Sequence, residues 1–174
     1  MTSDGPETEF GLRYRASLHR AHDWLRTELD QLRALAAQVG AGEVGVREAR
    51  ATINALAVTG HRWDLGAFCE AYCGVLARHH VREDVEMFPA VLGVQPDLGP
   101  VVDRLDAEHR AVAAVARRLD DVLVRLSRSA PDGTRSLVAE LIGIVDELTV
   151  LLRAHLAHEE EALHDALGRL PAPI

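Results

Sequence analysis

Four long stretches in which apolar residues recur every three or four positions, divided by Gly- and Pro-rich breaks, constrain this chain more than any other feature. Residues 12–39 carry Tyr14, Leu18, Leu25, Leu29, Leu32 and Leu35 along one helical face. The same spacing runs through about 64–92, 101–126 and 135–170. The breaks read VGAGEVG at 39–45, GVQPDLGP at 93–100, SRSAPDGT at 127–134 and PAP after 170. Asp64 is suited to cap the second helix. Residues 46–58 suit a short extra helix, and His61, near Trp63, reads as a loop residue over the bundle end. No segment alternates with the period of a strand. The pattern predicts an all-α chain, an antiparallel up-down-up-down four-helix bundle with a possible short extra helix between helices one and two. It forms one domain over 1–174, with residues 1–11 a flexible N-terminal tail.

Charge and composition narrow the partners. With 48% hydrophobic residues, 4% aromatic and 26% charged, the 174-residue chain reads as globular and helix-favouring. Its net charge of −8 opposes nucleic acid and anionic membrane surfaces, both of which attract basic proteins. No apolar run approaches the roughly 20 residues that span a bilayer, and the acidic start MTSDGPETEF does not read as a secretory signal. The two cysteines, Cys69 and Cys73, are one helical turn apart, read as small core residues, and fit a reducing cytoplasm.

The polar residues on the apolar faces are the anomaly. HHVREDVEMFP at 79–89 and HLAHEEEALHD at 155–165 each place a Glu four residues after a His, then a second acid, then a large apolar residue. At about 100° per residue, His79 and Glu83 fall inside the apolar stripe of helix two, with His80 and Asp84 at its edge. In helix four, His155 and Glu159 are central, His158 is marginal, and Glu160, Glu161 and His164 fall outside. His22 occupies the stripe of helix one and His109 that of helix three. A carboxylate in a core stripe costs several kcal/mol unless it is paired or metal-bound. Four inward imidazoles and two inward carboxylates suit iron, manganese or zinc, and two facing carboxylates can bridge a pair of ions. The ferritin-like Glu-x-x-His spacing occurs at Glu161–His164, where both residues face outward.

These residues resemble the hemerythrin family, and more closely its bacterial HHE cation-binding domain proteins. The likeness rests on His22, His79-x3-Glu83, His109 and His155-x3-Glu159, in that order, over about residues 12–170. It implies two iron ions per chain with an oxo or hydroxo bridge, Mn or Zn being possible substitutes. The implied ligands are His22, His79, Glu83, His109, His155 and Glu159, with Glu83 and Glu159 bridging.

The chain departs from the oxygen-carrying members, which have five histidines, two of them four apart on the third helix. Here Ala113 stands four after His109. His80 can compensate from the stripe edge, Asp84 and His158 are weaker candidates, and water can fill the position. A more open site favours peroxide or nitric oxide over reversible O2 carriage, and five histidine ligands would count against that preference. Two functions follow: a di-iron oxidoreductase, catalase- or peroxidase-like or NO-consuming, or a sensor, carrier or iron-storage module without turnover. The implied partners are a small diatomic or peroxide ligand and, for redox turnover, an unidentified electron donor, since no flavin- or nicotinamide-binding glycine pattern occurs. A bundle without metal is the third possibility. Tyr72 reads as core packing with a possible hydrogen bond to a ligand.

Overall fold

The computed structural model describes residues 5–41, 65–129 and 134–171, without the side chains of 65–71 and Ser127. Asp64, His61, Trp63 and the proposed extra helix at 46–58 lie outside the described residues, as does the side chain of Cys69. The described residues form helices and no strand. They comprise α1 (Glu9–Ala41), α2 (Leu65–Arg82), a π-helical turn (Glu83–Met87), α3 (Phe88–Val94), a 3-10 turn (Pro96–Leu98), α4 (Gly99–Arg128), α5 (Thr134–Ala162) and α6 (His164–Gly168). No described helix is long and apolar enough to cross a membrane.

Among the described side chains, each long helix buries most of the stripe its sequence predicts, with Tyr14, Leu35 and Ala116 half-buried. In α1 the buried residues are Gly11, Leu18, His22, Leu25, Leu29, Leu32, Ala36 and Val39, a spacing of threes and fours once past Gly11. Helix α1 packs on α5 and α2, and α4 packs on α5 and α2. Arg33–Asp146 and Arg153–Asp30 join α1 to α5, and Arg118–Glu147 and Arg125–Glu140 join α4 to α5. Such exposed pairs contribute roughly 0–1 kcal/mol each, so they fix register more than stability.

Three boundaries differ from the sequence-based expectation. Helix α1 begins at Glu9 rather than near residue 12, because the start of the chain is tied down: the Thr8 N–H donates to the Gly168 carbonyl at 2.9 Å, and the Thr8 hydroxyl donates to the Leu170 carbonyl. Gly11 permits this docking, since a Cβ there would collide with the Gly168 carbonyl. The loop expected at 93–100 is shorter, with helix running to Val94 and resuming at Gly99, where Pro100 occupies the first turn and needs no donor. The second and fourth helices are also interrupted. After Glu83 the Phe88 N–H reaches back five residues to the Glu83 carbonyl. Pro89 follows; a proline clashes with the carbonyl four residues back and has no N–H, so the helix widens and restarts with Pro89 in its first turn. Helix α5 stops at Ala162 and restarts as α6 after Leu163.

The core is split. One apolar cluster includes Leu25, Leu29, Tyr72, Leu76, Val112, Leu119, Leu148 and Leu152. The other includes Leu18, Met87, Phe88, Leu105, Leu163 and Leu167. Along each helix, buried polar residues lie between the two: His22 between Leu18 and Leu25, His80 and Glu83 between Leu76 and Met87, His109 between Leu105 and Val112, and His155 and Glu159 between Leu152 and Leu163.

Candidate metal centre

This polar layer brings every inward-facing candidate into one cluster. His22, His80, Glu83, His109, His155 and Glu159 are buried, and Glu159 and His22 have no exposed surface at all. The His79 side chain is the most open of the set at 14%. His79 Nε2 lies 2.8 Å from Glu83 Oε1, and His22 Nε2 lies 3.7 Å from the same oxygen. The other oxygen, Oε2, lies 3.4 Å from His109 Nε2. His109 and His155 meet Nε2 to Nε2 at 3.1 Å. Glu159 Oε2 is 3.7 Å from His22 Nε2 and 3.5 Å from His155 Nε2.

Two groups of donor atoms can each hold an ion: His80, Glu83, His109 and His155 in one, and His22, His79 and Glu83 in the other. Glu83 belongs to both. Two ligands about 2.1 Å from a common ion, at 90–120°, stand roughly 3.0–3.6 Å apart; the contacts at 3.1, 3.4 and 3.5 Å fall in that range, and those at 2.8 and 3.7 Å lie just outside it. Among the described residues, His22 Nε2, His79 Nε2, His80 Nε2 and all four oxygens of Glu83 and Glu159 are buried without a hydrogen-bond partner. Unsatisfied buried polar atoms cost about 1–3 kcal/mol each. Here all but one of them converge on the same space; His19 Nε2 is the exception. The donor set fits divalent first-row metals.

Carboxylates behind the imidazoles set which nitrogen faces inward. His22 Nδ1 contacts Glu160 Oε1 at 2.9 Å, His109 Nδ1 contacts Asp84 Oδ1 at 2.8 Å, and His155 Nδ1 contacts Glu108 Oε2 at 3.2 Å. A carboxylate only accepts, so each Nδ1 carries a proton and donates it, and Nε2 is the nitrogen left to face an ion. Arg26 grips Glu160 through both oxygens at 2.9 Å. His80 and Phe88 stack on His109, with ring centroids 4.0 and 5.5 Å away.

The electrostatics of the two inward acids diverge. Burial raises the Glu83 carboxyl, but contacts with His109, His22 and His79 outweigh it and hold the group well below the usual range. Burial, and then the Glu83 charge, push Glu159 well above it. Burial, with His109 nearby, drives His80 down to about 2 and His155 to about 4. For His109 burial acts the same way, but Glu83 and Asp84 raise it overall.

The remaining candidates fall outside this shell. Asp84 touches His109 from behind, on Nδ1. His158 donates to Glu108 at 3.1 Å and is 23% exposed. Tyr72 bonds the Leu25 carbonyl at 3.2 Å. Cys73 is a free thiol whose burial pushes it up to about 11. Sequence reasoning placed His80 at an edge, whereas the structure buries it in a donor group. It set Glu160 outside the stripe and did not single out Glu108. The second acid of each repeat was a signal for Glu160; nothing local marks Glu108, which depends on how α4 meets α5.

No curated protein and no solved structure matches the chain. A sequence model of the hemerythrin HHE cation-binding domain matches residues 15–167, a span that holds the whole donor cluster; the chain belongs to the hemerythrin HHE cation-binding domain family.

Proposed function

We propose that this chain is a non-haem di-iron protein that binds a small diatomic ligand, O2 or NO, or reacts with a related oxidant such as peroxide. The observation that carries the reading is the division of Glu83, one oxygen toward His22 and His79 and the other toward His109. His80, His109 and His155 would hold one iron, and His22 and His79 the other. Glu83 and Glu159 would be shared. Bound iron would supply one-electron chemistry, held on one side by the three histidines His80, His109 and His155 and on the other by His22 and His79.

The chain's residues prepare that site. Asp84, Glu108 and Glu160 orient imidazoles, and Leu18, Met87, Leu105 and Leu163 cover one side with apolar surface. Burial and the Glu83 charge push Glu159 toward its neutral form in the metal-free chain, so a bound cation would favour loss of its proton. The supporting topology is an up-down-up-down bundle, in which parallel α2 and α5 bring the two repeats level.

His80 changes the balance between binding and turnover. With Ala113 in place of a second histidine on α4, the sequence pointed to a more open site. His80, stacked on His109, restores a fifth imidazole. That favours reversible binding, sensing or carriage over peroxide or NO turnover. The free Cys73 thiol fits a cytoplasmic setting. Anaerobic iron loading with metal quantification, then optical spectra after O2 and after peroxide, tests the reading. Two irons per chain with a band that tracks O2 reversibly support binding; rapid repeated peroxide consumption supports an enzyme; no stoichiometric metal refutes both.

A further inference from the structure

We infer that the second acid of each repeat, Asp84 and Glu160, is a positioning residue that clasps the lone histidine of a neighbouring helix. In the first repeat Glu83 Oε2 lies 3.4 Å from His109 Nε2 while Asp84 Oδ1 lies 2.8 Å from His109 Nδ1. In the second, Glu159 Oε2 lies 3.7 Å from His22 Nε2 while Glu160 Oε1 lies 2.9 Å from His22 Nδ1. Consecutive residues on a helix point about 100° apart and do not normally meet one partner. Here each adjacent pair of acids spans an imidazole ring from both of its nitrogens, and it does so twice. The π-helical turn that follows α2 clasps α4, and α5 clasps α1.

The arrangement explains why the motif continues into a second acid. His22 and His109 are the inward histidines on helices that carry no inward acid of their own. Each receives its metal-side neighbour and its Nδ1 acceptor from one dipeptide on another helix. An imidazole held this way cannot flip or rotate its Nε2 lone pair out of the donor cluster, and its donor strength rises. The two clasps differ in stiffness. Glu160 is itself held by both Arg26 contacts, and its side chain is 21% exposed. The Asp84 side chain is 36% exposed.

The inference rests on the metal reading above, and it adds a prediction that reading does not make: each second acid serves a different ion. Asp84 acts on the ion held by His80, His109 and His155, and Glu160 on the ion held by His22 and His79. The test is anaerobic titration of the metal-free chain with Co(II) against a competing chelator, with unfolding of the metal-free variants alongside. Co(II) makes imidazole N–H protons visible as shifted, exchangeable NMR signals. Asp84→Ala should weaken one of two Co(II) equivalents about tenfold or more and remove one shifted N–H signal. Glu160→Ala should weaken the other equivalent and remove a different signal. Asp84→Glu and Glu160→Asp should recover part of the affinity. Metal-free stability should change little, since both acids are partly exposed. Retention of wild-type affinity by either Ala variant overturns the inference. So does equal weakening of both equivalents alongside lost metal-free stability, the mark of a merely structural role. Should an Ala variant not fold, Asp84→Asn and Glu160→Gln carry the same test with the same outcomes. A wild-type chain that takes up no stoichiometric Co(II) refutes the metal reading itself, a result distinct from any of these.

Discussion

The repeats at 79–89 and 155–165 share their wording, yet the fold gives them different tasks. In the first, Glu83 uses both oxygens, contacts three histidines and stays ionised. In the second, Glu159 meets histidines through Oε2 and is pushed toward its neutral form, partly by Glu83 itself. Two carboxylates that face one dry space cannot both keep a full charge without a cation between them. The first repeat then passes through a π-helical turn into Pro89, which brings Phe88 onto the His109 ring. The second stays α-helical through Glu159, with the Leu163 N–H reaching the Glu159 carbonyl, and breaks just after. Residue pattern selects a metal-binding motif; position in the bundle decides which copy anchors and which adjusts.

The largest test of this contrast removes either acid. Glu83→Ala should abolish nearly all iron binding, since both donor groups lose a member, and Glu159→Ala should lose most of it. Metal analysis after anaerobic loading reads the result. Two irons per chain retained in either variant would remove that residue from the ligand set.

His80→Ala should come next, with one of two irons weakened and faster peroxide consumption per remaining iron. Unchanged metal affinity would show that His80 is a packing residue stacked on His109.

Metal-free stability separates the acids by sign. The folded-state pKa of Glu83 is lowered, so its contribution is present above the unfolded value and lost as pH falls through the folded one. Glu83→Gln should therefore destabilise the metal-free chain at neutral pH, by on the order of 1–3 kcal/mol, and less in acid. The folded-state pKa of Glu159 is raised, so its contribution is present below the unfolded value and lost as pH rises. Glu159→Gln should stabilise the metal-free chain increasingly above about pH 4.5. Urea unfolding between pH 5 and 8 tests both, and the same sign for the two variants would break the contrast. The smallest effect belongs to His164→Ala, which should leave metal content unchanged because His164 is exposed beyond the break in α5.

Much of this was legible along the chain. Apolar spacing gave the long helices, and the conflict between charge and burial gave His22, His79, Glu83, His109, His155 and Glu159, because a helical period of 3.6 assigns each residue a face without knowing its partner. A single face does not say how far a side chain reaches. His80, one residue from His79, lies at the stripe edge in projection and is buried where α4 and α5 bring the rings of His109 and His155 against it.

The sequence by itself determined the helices of the described residues, the polar layer across their core and membership of a metal-binding class, since periodicity and burial cost are properties of each helix alone. Only tertiary structure decided that Glu83 divides its two oxygens between the donor groups whereas Glu159 meets both through Oε2 alone, that His80 joins them, and that Asp84, Glu108 and Glu160 back the imidazoles. Those assignments depend on distances between helices, and hydrogen bonds and charge interactions change sharply over an ångström or two that no spacing along one helix encodes.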